Sequence, residues 1–555
     1  MAANTTEKVP HLGGITVGYR LSGNIYDNAK PTTLLINSMC TTLSLFDDMF
    51  TNIELIDMMN LLAIEPLGHG ATTCPTEHFT YWDSAIMALQ VMDNLGIENA
   101  FAFGASQGGW IVVRIALLAP ERILGLMVTG TSMDSESEES RKKGAWDPRH
   151  LLCPLIEEWS SVTPTPNFVI DDCWCEMLNS FGIPEAQGDI WTLTYRSVYK
   201  GDEGRKKLRV ALICLLERDS LLLRLRDIKC PVRWLQGHNA VKGSPRTPKN
   251  TPAHEMAATT TTKVPHLGGI TAGYRLSGNT YDNTKPTTVL FNSMCTTVSL
   301  FNDMFANPKL TKTMNLLAVE PLGHGSTSSP TEHFTYWDSA IVALQVMDHL
   351  GIQNAFVFGA SHGGWIVARM ALLAPDRILG LMLTGTSMDC ESDESRKKGA
   401  WNTDQLQLSA LTEKWYSATP TPSFVIDDGW CEMVHSFGFG KRLTQEQKDF
   451  WTSTLKSVYK GDEGRKKLRV ALICLIERDG LLLRLRDSKC PVRWIQGTQD
   501  KTYPPALASE HIKLFTSSKD VKFDVLEGGC HYLTASHPIE VGDALKELVT
   551  KYAAV

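Results

Sequence analysis

The sequence predicts an α/β protein of two tandem units. Each is a mostly parallel sheet with helices on both faces and a helical lid, and the first unit is truncated at its C-terminal end. Three observations carry this reading. The chain is written twice, since Met1-Ala-Ala-Asn-Thr-Thr-Glu-Lys-Val-Pro-His-Leu-Gly-Gly returns as Met256-Ala-Ala-Thr-Thr-Thr-Thr-Lys-Val-Pro-His-Leu-Gly-Gly. Short β-rich runs alternate with amphipathic helical stretches through both copies, the pattern of a parallel sheet covered on both faces. Each copy also carries a Gly-rich turn between an apolar strand and a helix: Phe103-Gly104-Ala105-Ser106-Gln107-Gly108-Gly109, then Phe358-Gly359-Ala360-Ser361-His362-Gly363-Gly364.

At 555 residues the chain exceeds what one core serves, and the repeat sets the count at two domains. The period is far above the roughly 20–50 residues of a repeat array, so this is a duplication and not a solenoid. Copy one covers 1–237. His238 to Glu255 is polar, proline-rich and without period, and reads as a linker. Copy two covers 256–555.

In copy two the expected elements run as follows. Ile270–Leu276 alternates like a strand, and Thr287–Phe291 is a short β-rich run ending in Asn292-Ser293-Met294. Asn315–Glu320 is a further strand, ending in Pro321-Leu322-Gly323-His324-Gly325. Asp338–Leu350 places Ile341, Leu344, Val346 and Met347 on one helical side. Ala355–Gly359 is a strand, Gly363–Leu373 a helix and Ile378–Thr384 a strand. From about 387 to 489 the rhythm breaks into helix formers and aromatics, among them Trp401, Trp415, Tyr416, Trp430, Phe450 and Trp451. An insertion over the carboxyl edge of a sheet is a lid. Strands resume at Val492–Gln496 and Val521–Leu526, and an amphipathic helix, Ile539–Tyr552, closes the chain.

G-x-S-x-G between strand and helix is a nucleophile elbow. The turn is sharp, so small residues must flank the serine, and here they are Gly359, Gly363 and Gly364. Ser361 is expected at the helix N-terminus, where free N–H groups hold developing negative charge. A serine hydroxyl needs a base, and the base an orienting acid, in the chain order serine, acid, histidine. Asp500 follows one late strand and His531 the next, both at carboxyl ends of strands, where open α/β sheets bind ligands. The bland alternatives are a surface histidine and a turn aspartate, but three coincident placements disfavour them. Asp389, just past an earlier strand, is a lower-ranked substitute acid.

These residues make both copies resemble the α/β-hydrolase superfamily, specifically its lidded, cofactor-free serine hydrolases, over nearly all of copy two. The resemblance implies Ser361 as nucleophile, His531 as base and Asp500 as acid. It implies an oxyanion hole from the backbone N–H groups of His362 and of the residue after the first core strand. That strand usually ends in His-Gly-X; here it ends Asn292-Ser293-Met294, which points to Met294. Gly323-His324-Gly325 matches the family's second Gly-rich loop, and His324 and the His362 side chain read as structural. The N-terminal and lid sequence also resembles hydrolases of fungal secondary-metabolite clusters, including host-selective toxin pathways. The substrate implied is a small-molecule ester or thioester of a polyketide-like or acyl compound. Hydrolysis of a carbon–carbon bond in a β-diketone-like substrate fits the same elbow. A non-hydrolytic binding protein or cyclase is the reading from a different class.

Copy one departs from the pattern. Gly237-His238-Asn239-Ala240 stands where copy two has Gly497-Thr498-Gln499-Asp500, and nothing corresponds to the strand Val521–Leu526, to His531 or to the last helix. Ser106 therefore has no base in sequence, and copy one is expected to be inactive: a decaying duplicate, a scaffold, or one of two tandem genes read as one. Without a following strand, Val232–Gln236 leaves a bare sheet edge.

Net charge is −7, too mild for a nucleic-acid or anionic-membrane footprint. No metal-ligand spacing or phosphate loop is present, and no cofactor is expected. No apolar run approaches a membrane span and no secretory h-region opens the chain. The thirteen scattered cysteines, several in apolar stretches such as those of Cys214 and Cys474, read as reduced thiols. A cytoplasmic protein is the expectation. The peroxisomal alternative lacks its tripeptide, since the chain ends Lys551-Tyr-Ala-Ala-Val555. No oligomeric state is legible.

Overall fold

The computed structural model describes residues 4–23, 26–135, 138–142, 148–161, 163–180, 187–235, 259–278, 280–390, 392–403, 406–440 and 443–553. The chain divides into two compact units, Met1–Lys242 and Gly243–Val555. The segment read as a linker, 238–255, and Ala240 within it lie outside the described residues.

Unit one holds a seven-stranded sheet of β1 (Thr5–Val9), β2 (Ile15–Leu21), β3 (Thr32–Ile36), β4 (Asn60–Ile64), β5 (Ala100–Ala105), β6 (Ile123–Thr129) and β7 (Val232–Leu235). Their order is β1-β2-β4-β3-β5-β6-β7. Unit two repeats this with β8 (Thr260–Val264), β9 (Ile270–Leu276), β10 (Thr287–Phe291), β11 (Asn315–Val319), β12 (Ala355–Ala360), β13 (Ile378–Thr384) and β14 (Val492–Gly497), and adds β15 (Val521–Leu526). In each sheet only the first two strands pair antiparallel with their neighbours, and the others are parallel. The fold is the predicted α/β architecture in two tandem copies.

In unit two the helices Tyr336–His349 and His362–Leu373 pack on one sheet face and the helix Pro538–Tyr552 on the other. Both faces are therefore sealed. Phe356, Met382 and Ile495 pack with Val541, Leu545 and Leu548 of the last helix. Lid helices follow β13: Asp393–Lys397, Leu408–Lys414, Asp428–Val434, Gln445–Val458 and Gly461–Ile476. They enclose an aromatic core of their own, in which Trp415 packs edge-on against Trp430 at 5.1 Å.

Several boundaries differ from the sequence reading. The helix expected from Asp338 begins at Tyr336, because Thr335 and Asp338 form a capping box in which Thr335 N–H donates to Asp338 at 2.6 Å. The next helix starts at His362, one residue before the expected Gly363. Glu320 is not in its strand, and its carboxylate turns to accept Ser326 N–H at 2.5 Å. The strand expected to end at Gln236 is described to Leu235. The edge strands β1 and β8 were not anticipated. Their Thr-rich, mostly exposed residues carry little apolar signal.

Candidate active site

The elbow is built by close approach. A Cβ on Gly359 would lie 2.2 Å from the Gly363 carbonyl oxygen, and one on Gly363 would lie 2.4 Å from that of Phe291. Only glycine lets the helix start so tightly against β12 and β10. Ser361 then takes φ 55° and ψ −121°, a conformation that costs an L-residue on the order of 1–3 kcal/mol and aims its side chain away from the strand.

The structure brings Ser361, His531 and Asp500 together. Ser361 Oγ lies 2.8 Å from His531 Nε2. His531 Nδ1 lies 3.1 and 3.0 Å from the two oxygens of Asp500. All three side chains are buried. Asp500 has further donors: the N–H groups of Thr502 at 2.8 Å and Tyr503 at 3.0 Å on one oxygen, and Gln496 Nε2 at 2.8 Å on the other. A carboxylate so held is directional, and can fix the imidazole with its Nδ1 protonated. Nε2 is then the acceptor facing Ser361. This is the geometry of a nucleophile with its base and orienting acid.

Met294 lines the same cavity as Ser361, and His362 follows Ser361 in the chain. Neither backbone N–H donates to a protein acceptor among the described residues. The loop carrying Met294 is held on three sides. Asn292 Nδ2 donates to Thr296 O at 2.9 Å, Cys295 N–H to His324 Nε2 at 3.1 Å, and Tyr532 O–H to Met294 O at 3.0 Å. His324 is thus a structural support for this loop. Burial depresses its pKa to about 4, so it is neutral and can accept that bond. The His362 ring lies 4.6 Å from the His324 ring and is stacked at 5.7 Å on Tyr336. Both its nitrogens are buried without a hydrogen bond. Burial, then the neighbouring His324 and His531, push its pKa well below the usual histidine range.

Asp389 is not at this site. Its carboxylate is engaged by the hydroxyls of Ser392 and Ser395 at the start of the lid, and its carbonyl accepts from Arg478 at 3.4 Å.

Ser361 and His531 open onto a cavity of about 60 Å³ whose other walls include Met294, Trp401, Trp430, Met433, Phe437 and Tyr503. Among the described residues no lysine, arginine or free carboxylate lines it. Of the six aromatics singled out in the lid, Trp401 and Trp430 reach the cavity. Trp415 and Trp451 are buried in the lid's own core, and Phe450 is partly exposed. Gln496, Phe437, Tyr503 and the Tyr532 hydroxyl were missed. Nothing in their sequence neighbourhood marks them, because each acts through loops that meet only in the fold.

In unit one, Ser106 has the same elbow, at φ 52° and ψ −118°. Cys40 N–H donates to His69 Nε2 at 2.9 Å, as Cys295 does to His324. Gln107 stands in place of His362 and lies 3.1 Å from His69 Nε2. Ser106 is exposed and meets no histidine among the described residues.

Among the described residues no group of three or more His, Cys, Asp or Glu side chains converges as metal ligands would. No helix among them is long and apolar enough to cross a membrane.

Comparison with known proteins agrees with the architecture. A family model described as the alpha/beta hydrolase fold matches residues 39–151 and 289–538, well over half of the chain. An uncharacterized hydrolase of Saccharomyces cerevisiae is 26% identical over 163 residues, 29% of this chain and 51% of that protein. A 2-heptyl-3-hydroxy-4-quinolone dioxygenase of Rhodococcus erythropolis is 29% identical over 85 residues, 15% of this chain and 30% of that protein. The chain spans about half the length, or less, of these curated relatives. Among solved structures, a bromoperoxidase from Bacillus anthracis aligns with a TM-score of 0.43 at 20% identity, covering 53% of this chain and 100% of that one. The chain belongs to the α/β-hydrolase fold family.

Proposed function

We propose that this α/β-hydrolase family member is a serine hydrolase, cleaving an ester or thioester of a small, uncharged acyl or polyketide-like metabolite in unit two. One observation carries the reading: Ser361, His531 and Asp500 form a continuous hydrogen-bonded chain, with Ser361 and His531 facing an apolar cavity. His531 takes the hydroxyl proton as Ser361 Oγ attacks the acyl carbon. The oxyanion forms toward the free N–H groups of Met294 and His362. Imidazolium, steadied by Asp500, protonates the departing alkoxide or thiolate. Water then repeats the sequence on the acyl-enzyme and frees the acid. The aromatic and thioether lining supports an apolar acyl group, and among the described residues it offers no counter-charge to an ionised one. The resemblance of the N-terminal and lid sequence to fungal secondary-metabolite hydrolases supports a polyketide-like one. At about 60 Å³ the cavity is far below the roughly 300–1,000 Å³ of common ligand pockets. The lid, about 387–489, must therefore open for a substrate of that size.

In the same reading unit one, 1–237, is catalytically silent, and 238–255 links it to the complete unit, 256–555. None of the thirteen cysteines is joined in a disulfide, which supports a reducing compartment, the cytoplasm. The test is fluorophosphonate labelling followed by a chain-length panel of esters on the full chain. Labelling at Ser361 with turnover that rises on apolar acyl chains is expected. A chain that neither labels nor turns over any ester sinks the assignment.

A further inference from the structure

Unit one stops where unit two is closed by one more segment. In unit two the segment Thr498–Ala553 touches the sheet in three places. β15 pairs along β14. Ala508 and Ile512 pack on the face that carries Trp494. The helix Pro538–Tyr552 covers the other face. The corresponding surface of unit one is nearly the same in sequence, with Leu235 in place of Ile495, and is open. Phe101, Met127 and Leu235 are 44%, 38% and 42% exposed, whereas Phe356, Met382 and Ile495 are 0%, 0% and 2% exposed. The polar counterpart is equally informative. Arg493 on β14 bonds Asp524 of β15 at 2.9 Å, the Glu547 carboxylate and the Ala544 carbonyl. Its equivalent on β7 is Arg233, exposed and without an acidic partner among the described residues. A cation beside a bare apolar face disfavours pairing two such edges, because the two Arg233 side chains would meet. It favours an acidic strand and helix.

We propose that the β7 edge of unit one is a docking site for a second polypeptide: a strand followed by an amphipathic helix, with acidic residues placed like Asp524 and Glu547 to meet Arg233. This chain's own segment of that kind is already engaged on unit two, so the occupant comes in trans. Docking adds a strand to the edge and covers the face of Phe101, Met127 and Leu235 with the helix that follows, the recognition mode of β-augmentation strengthened by apolar burial. An occupant that also carries the acid and the histidine would bring an imidazole to Ser106, whose elbow already matches that of Ser361.

The test uses the full chain bearing Ser361→Ala and, as probe, the peptide Thr498–Val555. Saturable binding is expected, weakened at least about tenfold by Arg233→Glu and restored when the peptide carries Asp524→Lys and Glu547→Lys. A second readout rests on the proposed nucleophile chemistry. The bound peptide should make Ser106 react with a fluorophosphonate: the Ser106 O–P bond forms, fluoride leaves and the hydroxyl proton passes to His531 of the peptide. The same peptide with His531→Ala should bind without labelling. If Ser361 itself fails to label in the unaltered chain, the function reading falls and the binding result alone decides the docking proposal. Should the free peptide aggregate, the same residues joined covalently after Leu235 must protect the β7 amides from exchange. Absence of binding, binding indifferent to Arg233, or a joined segment that leaves β7 unprotected overturns the proposal. So does binding that leaves Ser106 silent while Ser361 labels normally.

Discussion

Ser106 and Ser361 occupy elbows with nearly identical torsions, φ 52° and ψ −118° against φ 55° and ψ −121°. Their loops are pinned by equivalent histidines, His69 and His324. The two sites differ in what arrives from far along the chain. Ser361 receives His531, 170 residues away, at 2.8 Å, and Ser106 receives none among the described residues. The elbow is a local product of glycine spacing and strand–helix packing. The base, the acid and the sheet's closing strand and helix come as one later piece. The elbow motif alone therefore does not tell the unit whose serine meets a histidine from the unit whose serine meets none among the described residues. The discriminating signal is the segment that follows.

The largest expected effect tests this difference directly. Ser361→Ala should lower ester turnover by on the order of 10⁴-fold or more, and Ser106→Ala should leave it unchanged. Turnover by Ser361→Ala within tenfold of the parent would remove Ser361 as nucleophile. A loss in Ser106→Ala would show that unit one works after all. Next comes the acid. Asp500→Asn removes the carboxylate that sets the tautomer of His531 and should cost roughly 10³–10⁴-fold in kcat. Asp389→Asn loosens only the start of the lid and should be mild. The reverse order in a kcat comparison would assign the acid to Asp389.

Much of this was legible in the sequence, for identifiable reasons. Strand β12, the elbow and the following helix carry their signal within one continuous run, Ala355–Leu373. Asp500 and His531 each stand just past an apolar strand, in the order the chemistry needs. The bare β7 edge followed from counting strands. The supports around the site did not show. Gln496 reads as one polar residue in the strand WIQG, and it matters because the loop after it folds back to put Asp500 and the Tyr503 carbonyl on its amide at 2.8 and 2.6 Å. The lid aromatics read alike in sequence. Whether a tryptophan lines the cavity, as Trp401 does, or fills the lid's own core, as Trp415 does, depends on helix packing that periodicity leaves open.

Acidification should sharpen the comparison further. Burial holds His511 at a pKa of about 4 and pushes His362 well below its usual range. Unit one has glutamine in place of His362 and no described counterpart of His511, while His69 and His324, both near 4, cancel. A depressed histidine is neutral when folded and protonates on unfolding below its ordinary pKa of 6.5. Its contribution is full above that value and is lost as pH falls toward the folded value. For His511 the loss between about pH 7 and 5 is about 2 kcal/mol, and His362 adds to it. Native-state amide exchange, reading β12 for unit two and β5 for unit one, should show unit two losing more stability over this range. His362→Gln should narrow the gap. Equal losses in both units would mean that these imidazoles are reached by water in the native state.

The smallest expected effect concerns the arginine on the last shared strand. Arg493 is 8% exposed, with its charge met by Asp524 and Glu547. Those carboxylates are 30% and 53% exposed, so solvent screens the pairs and their worth is discounted accordingly. Arg493→Ala also removes a donor from the Ala544 carbonyl and the aliphatic stem that lies between β14 and the last helix. Together these predict a loss of about 1–2 kcal/mol from unit two. Arg233→Ala, at the same register on β7, removes an exposed side chain without an acidic partner among the described residues, and should change unit one by less than about 0.5 kcal/mol. Exchange protection at β14 and β7 in the two variants reads both effects in the intact chain. A comparable loss from Arg233→Ala would mean that its edge is already occupied in the protein as isolated, and the contrast between a closed and an open sheet would have to be withdrawn.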